Sequence, residues 1–392
     1  MTIRPWTIQW CWACAMVVLQ SVAVHAVGAE FSQPSLAVSV AADAAGRVYQ
    51  TQLRQGQLWL LSSDDGGKHF SREVAVSPQQ PKGGAVAEAS PIVAIGGPDE
   101  LFVSWTERLP NHQAGDLWLA RSGDAGKHFD PPYLVLQHQD DIATRYAAMQ
   151  ATADGSITIA WLDARDKAAN QASTGAAIYY AVSRDHGQHF SPEQKLAEHG
   201  CECCALAMAS QADGTVALLW QHVFDNAERD QAMAEIRATG KPMVVRASYG
   251  HWKMAGCSSY GAAIAVGAGF GYHLAYYDGA GEKPGLRIAR MDGEAWVTSP
   301  PRRFGDAQRN ANFPALMSAG EQVWLAWQEH DSHGADIVAM TSDDGGRTWG
   351  NPVVMLHSLS KLDYPQWIQL QGQAILVLHT ADKGLQLLPF VP

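Results

Sequence analysis

Three cysteines crowd into four residues, Cys201-Glu-Cys203-Cys204, and a fourth, Cys257, follows in His251-Trp-Lys-Met-Ala-Gly-Cys257. Two chemistries suit such a set. In an oxidising compartment four cysteines pair as two disulfides, with three possible connectivities. Cys257 could tie to one of the triplet, which leaves a Cys201–Cys203 bridge or a vicinal Cys203–Cys204 bridge. As thiolates, the same four residues with a histidine would suit copper(I), or zinc as a closed tetrahedral centre. His222 is the histidine assigned to that metal set, and His199 and His251 flank the cysteines in sequence. Cys-x-Cys-Cys is not a zinc-finger spacing, so both chemistries stay open. Four charged residues are candidates for binding a ligand beside the cysteines: Arg229 and Asp230, which lie between the two cysteine segments, and Asp163 and Arg165 in Trp161-Leu-Asp-Ala-Arg165. The alternative for Asp163 and Arg165 is a local ion pair that braces its own loop.

The chain offers little else in the way of a reaction centre. It has no Gly-x-Ser-x-Gly elbow and no glycine-rich phosphate loop. Glu329-His330-Asp331 with His333 is metal-capable in composition, although a solvated polar loop has the same composition. Residues 1–29 read as a signal peptide: Arg4, an apolar stretch from Trp10 to about Val24, and small residues at Val27-Gly28-Ala29. Its removal would take Cys11 and Cys14 with it and leave residues 30–392 as a single periplasmic or secreted domain, with no membrane insertion. A formal net charge of −11 argues against nucleic acid and acidic membrane surfaces as partners.

The elements that must position these residues announce themselves as a repeat. Ser-x-Asp-x-Gly-x-x-Phe/Trp occurs four times, at Ser63–Phe70, Ser122–Phe129, Ser183–Phe190 and Ser342–Trp349. Serine and aspartate side chains can hold a tight turn through its backbone, glycine supplies positive φ, and the aromatic packs back between strands. Between these turns recurs an apolar strand, a glycine turn, and a strand often ending in Trp, as at Trp105, Trp161, Trp220 and Trp327. The Trp residues read as core, wedged between units. Seven starts fall at a nearly constant interval, each unit long enough for four short strands. A degraded turn remains at Arg290-Met-Asp-Gly-Glu-Ala-Trp296, and the fourth unit has lost its turn around residues 241–246.

This repeated turn is the Asp-box, and the chain resembles the sialidase-like (BNR/Asp-box) β-propellers. The resemblance implies an all-β propeller with seven blades, or six if the terminal segments share one. The last unit stops after about three strands, so the N-terminal strand at residues 30–33 is expected to complete it and close the ring. Strands running alternately up and down put the Asp-box turns on one face. The cysteine segments, Asp163, Arg165, His222, Arg229, Asp230 and Glu329 to His333 then fall on the other face, where propellers bind ligands. Cys-x-Cys-Cys with a later Trp252-Lys-x-x-x-Cys257, Arg229-Asp230 between them and Trp161-Leu-Asp-Ala-Arg165 before them is similar to a set of exported bacterial Asp-box propellers. A sialidase uses a Tyr nucleophile activated by Glu, an Asp acid/base and three arginines that grip the substrate carboxylate. The expected Phe/Tyr-Arg-Ile-Pro segment is missing. Arg54 stands in no matching context, Arg165, Arg229 and Arg309 are scattered, and Tyr260 and Tyr364 lack an evident Glu partner. The expectation is therefore a module that binds a small-molecule, glycan or metal ligand (copper or zinc), with sialidase-type hydrolysis and a scaffold for a protein partner as alternatives.

Overall fold

Strands here are apolar on both sides because both sides are covered. β10 (Ile157–Asp163) is buried along its whole length, with Ile157, Ile159 and Trp161 facing one neighbouring sheet and Ala160 and Leu162 the other. The computed structural model describes residues 38–54, 57–77, 91–107, 115–136, 144–166, 175–254 and 260–390. Within them the protein is all-β and antiparallel, and no helix is long and apolar enough to cross a membrane.

The strands fall into successive sheets. The first holds β1 (Val40–Ala42), β2 (Val48–Arg54), β3 (Gln57–Ser63) and β4 (Arg72–Ala75). The second holds β5 (Ile92–Ile95), β6 (Leu101–Glu107), β7 (Asp116–Ser122) and β8 (Tyr133–Leu134). A nine-stranded sheet then comprises two four-strand runs. One is β9 (Thr144–Ala151), β10, β11 (Ala176–Ser183) and β12 (Gln194–Gly200). The other is β13 (Ala207–Ser210), β14 (Val216–Phe224), β15 (Glu228–Ile236) and β16 (Val245–Arg246), with β17 (Trp252–Lys253) also on β15. A single residue pair, Gly200↔His222, joins the runs. Two more four-stranded sheets follow: β18 (Ala263–Gly267), β19 (Gly271–Asp278), β20 (Gly285–Asp292) and β21 (Arg302–Phe304), then β22 (Asn312–Ala319), β23 (Gln322–Asp331), β24 (Gly334–Ser342) and β25 (Val353–Ser358). The last sheet has β26 (Gln366–Leu370), β27 (Gln373–Thr380) and β28 (Gly384–Pro389). Residues 30–33, the expected closing strand, lie outside the described residues.

The core is not one mass but a series of layers, each between consecutive runs. Phe102, Leu117 and Leu119 meet Ile157, Ile159 and Trp161, for example, and Ala326, Ile337 and Ala339 meet Leu376 and Leu378. Val40 and Val48 of the first sheet pack on Ile368, Ile375 and Val377 of the last. Each fully buried Leu or Ile in these layers contributes roughly 1.5–3 kcal/mol of apolar transfer.

The four repeated turns share one geometry, and each joins the third strand of its sheet to the fourth. In the turn after β7, Ser122 Oγ donates to Asp124 Oδ1 at 2.8 Å and accepts Gly126 N–H at 2.9 Å, and Asp124 Oδ1 accepts His128 N–H at 2.9 Å. Gly126 needs φ +76, and a Cβ there would strike Leu60 Cδ2 at 2.6 Å. Phe70, Phe129, Phe190 and Trp349 each pack toward the preceding sheet. Trp296 does the same behind its degraded turn, where Asp292 Oδ1 still accepts the Glu294 and Ala295 N–H groups.

Candidate functional site

The cysteine loop begins where β12 crosses to the next run. Cys201 N–H donates to Gln221 O at 2.9 Å, and Gly175 at φ +85 lets the chains approach, since a Cβ there would lie 2.5 Å from Gly200 O. The loop turns on itself, with Cys204 N–H donating to Cys201 O at 3.4 Å. That turn brings the Cα atoms of Cys201 and Cys204 to 5.4 Å, within disulfide range, and the two are bonded. The pairing is thus i to i+3, neither of the two bridges anticipated within the triplet. Cys203 is also disulfide-bonded, and its sulfur lies 3.7 Å from Cys201 Sγ. Cys257 lies outside the described residues.

Three sulfurs do gather closely enough to hold a metal, yet bonded sulfur offers no thiolate, so such a set exists only in reduced protein. His222 is badly placed to complete it. Trp220 Nε1 lies 3.3 Å from His222 Nδ1, and because an indole N–H only donates, Nδ1 is the acceptor and Nε2 carries the proton. Burial, then His199 and Arg246, pushes the His222 pKa down to about 4 and keeps the ring neutral.

Arg229 and Asp230 are sequence neighbours on β15 and therefore point to opposite faces. Arg229 lies against the loop, its Nη1 3.7 Å from Cys201 Sγ and its Nε donating to Met254 O at 3.3 Å. Asp230 is buried on the other side. It accepts from Ser248 Oγ at 2.7 Å, Gly250 N–H at 2.8 Å and His251 N–H at 3.1 Å, and it pairs with Arg246. Arg246 also bridges to Glu228 at 2.9 Å and stacks on Phe224, its guanidinium carbon 4.3 Å from the ring centroid. Glu228, Asp230 and His251 are spaced as a metal could use them, but the guanidinium already serves as their cation.

Asp163 and Arg165 form the bracing pair. Asp163 is fully buried and accepts from Trp161 Nε1 at 2.9 Å and from Arg165 N–H at 2.9 Å. Arg165 salt-bridges Asp163 at 2.7 Å and Glu193 at 2.6 Å and lies over Tyr179 at 4.1 Å. The Trp-x-acceptor device recurs with Trp327 Nε1 donating to Glu329 Oε1 at 2.7 Å. In the Glu329 to His333 loop the cation is again an arginine, Arg309, paired with Asp331 at 2.8 Å and with Asp336.

Sequence reasoning missed the gathering of the aromatics. Tyr260 and Tyr277 stack with centroids 3.7 Å apart, and Trp252 packs 5.4 Å from Tyr277 and 5.9 Å from Tyr260. Register pairs Trp252 with Arg229, which sets this cluster beside the cysteine loop. Phe313 and Tyr364 stack at 4.0 Å, and burial, Asp363 and Tyr146 hold the Tyr364 hydroxyl up at about 12. Tyr146 and Phe313 sit at φ +49 and φ +50, a left-handed conformation that costs a bulky residue roughly 1–3 kcal/mol. A signal was available: Asn312-Phe-Pro and Asp363-Tyr-Pro precede two unit starts, and each Asx side chain accepts the N–H of the following aromatic, at 2.7 and 2.9 Å.

No protein-family model and no curated protein matches the chain. Among solved structures it is similar to the BP39L lectin from Burkholderia pseudomallei, at TM-score 0.59 and 12% identity over 90% of this chain and 95% of that one. It is also similar to a PL25 ulvan lyase bound to -[GlcA(1-4)Rha3S]-, at 0.55 and 13% over 90% and 92%. A third similar structure is the Hadza microbial sialidase Hz136, at 0.52 and 14% over 88% and 73%. At such identities the likeness is one of fold: an all-β propeller.

Proposed function

We propose that the chain is an exported seven-bladed propeller that binds carbohydrate on the face bearing the cysteine loop. Seven blades and a closed ring are supported by the core layers, which join each four-strand run to the next and the last sheet to the first. The binding reading rests on one observation, the Trp252–Tyr260–Tyr277 cluster held beside Arg229 and the Cys201–Cys204 bond. Aromatic rings with polar groups at their edge suit the apolar face and the hydroxyls of a sugar. A lectin, a polysaccharide lyase and a sialidase among the similar folds support the same ligand class. Hydrolysis of the sialidase kind is the weaker reading, because Arg165 is engaged by two carboxylates of the protein and Arg309 by three, which leaves neither as a grip for a substrate carboxylate. A glycan array on the wild type and Trp252→Ala tests this, with a fluorogenic sialoside beside it. Binding lost in Trp252→Ala without sialoside turnover is expected; turnover, or no glycan bound at all, overturns the proposal. Metal binding applies to reduced protein only: oxidised protein should take up neither copper(I) nor zinc in native mass spectrometry.

A further inference from the structure

Two of the innermost strands carry the same irregularity at the same place. In β9 and β10 the pairing runs Ala148↔Ala160 and then Arg145↔Leu162, so Tyr146 and Ala147 stand opposite Trp161 alone. In β22 and β23 it runs Asn312↔Gln328 and then Ala315↔Ala326, so Phe313 and Pro314 stand opposite Trp327 alone. Each is a β-bulge that places two residues against the Trp of a Trp-x-carboxylate pair, and in each the first bulged residue is an aromatic at positive φ. Glycine is the residue that takes this conformation without strain. A bulge re-aims the side chain it carries, and an aromatic kept where glycine would be relaxed marks a position held for what its ring contacts. Tyr364 stacks on Phe313 and lies within electrostatic reach of Tyr146, and Gly261, next to Tyr260, approaches Phe313, a Cβ there lying 3.4 Å from its Cδ1. Phe313 and Tyr364 thus form a stacked pair, with Tyr146 on one side of it and the segment that carries Tyr260 on the other.

The charges on this side select among sugars. Arg165 bridges Asp163 and Glu193, Arg246 bridges Glu228 and Asp230, and Arg309 bridges Asp331 and Asp336. Arg165 and Arg246 each carry two carboxylates and Arg309, which Glu329 also approaches at 3.7 Å, carries three, so among the described residues carboxylates outnumber the guanidinium in each cluster, on a chain of net charge −11. A carboxylated or sulfated sugar would meet these carboxylates rather than a clamp of several guanidinium groups, since Arg229, the cation beside Trp252, stands apart from them and is turned to Met254 O and Cys201 Sγ.

We infer that this face is an extended stacking path for a neutral oligosaccharide, with the bulge-borne rings Tyr146 and Phe313 and their neighbour Tyr364 forming a second subsite beyond Trp252. The inference rests on the carbohydrate reading above. Isothermal titration with cellohexaose, mannohexaose, maltohexaose and xylohexaose, against an oligogalacturonate hexamer and sialyllactose, tests the charge argument. At least one neutral hexaose should bind while the acidic probes do not. Tyr146→Gly and Phe313→Gly, both suited to their backbone, should weaken the hexaose by about tenfold each at a temperature where circular dichroism shows both variants folded, with the matching monosaccharide unaffected. A hexaose lost in Trp252→Ala but unchanged in the two glycine variants would overturn the second subsite and leave the carbohydrate reading standing. Preference for the acidic probes would overturn the neutral class, and silence from every glycan here and on the array would overturn both.

Discussion

His273 on β19 is fully enclosed, and neither ring nitrogen has a partner among the described residues. Burial, and then the nearby Arg290, pushes its pKa down to about 4 from the usual 6.5. The unfolded chain therefore binds a proton at His273 below pH 6.5 that the folded chain refuses until about pH 4. Stability is unaffected above pH 6.5 and is lost as pH falls across that window, by about 3 kcal/mol if the whole shift is expressed. In His273→Leu the histidine's share of the acid loss should vanish, so urea unfolding at pH 7 and pH 4.5 should differ less than in the wild type. Equal differences would show that the enclosed ring is not the acid-sensitive group. Nothing in the sequence marks this histidine out, because its isolation is a property of packing. The tryptophans, by contrast, were legible as core, and the indole N–H groups of Trp161, Trp220 and Trp327 found acceptors two residues on at Asp163, His222 and Glu329, whereas that of Trp105 has none among the described residues.

At the scale of elements, the repeated turns work through one hydroxyl each. Ser122 Oγ is the acceptor for Gly126 N–H, and both residues are buried. Ser122→Ala should cost about 1–3 kcal/mol, because the N–H is left without a partner away from water. Ser63→Ala should cost less, since Gly67 is only half-buried and water can replace the hydroxyl. Chemical denaturation of the two variants checks the order, and equal losses would mean that the turns gain nothing from burial. These turns made the fold readable, because a motif that fixes its own backbone needs no distant partner. The bulges at Tyr146 and Phe313 were not readable, since they arise from register against Trp161 and Trp327 across the sheet. The Cys201–Cys204 pairing was likewise set by how the loop turns after Gly200, which spacing alone does not encode. Asp163 and Arg165 form the ion pair that their spacing allowed.

For the whole molecule, the question is which junction gives way first. Most neighbouring runs share an extensive apolar layer, such as the one built on Phe102, Leu119, Ile157 and Trp161. Between the last sheet and the first, the buried residues are Val38, Val40, Val48, Ile368, Ile375 and Val377, valines and isoleucines without an enclosed aromatic. Gln366 adds a polar stitch there, donating through Nε2 to Val38 O at 3.0 Å and accepting Val40 N–H through Oε1 at 3.3 Å. A layer without an enclosed aromatic, a trait it shares with the layer on Ala326, Ile337 and Leu376, and a junction stitched by one side-chain amide make this a place of low local stability. Gln366→Leu keeps the bulk and removes both bonds. Its expected effect is local: faster hydrogen exchange at β1 and β26, with β10 and β14 unchanged and glycan affinity unchanged. If exchange rises uniformly across all sheets instead, the molecule opens as one unit and the junction is no weaker than the rest.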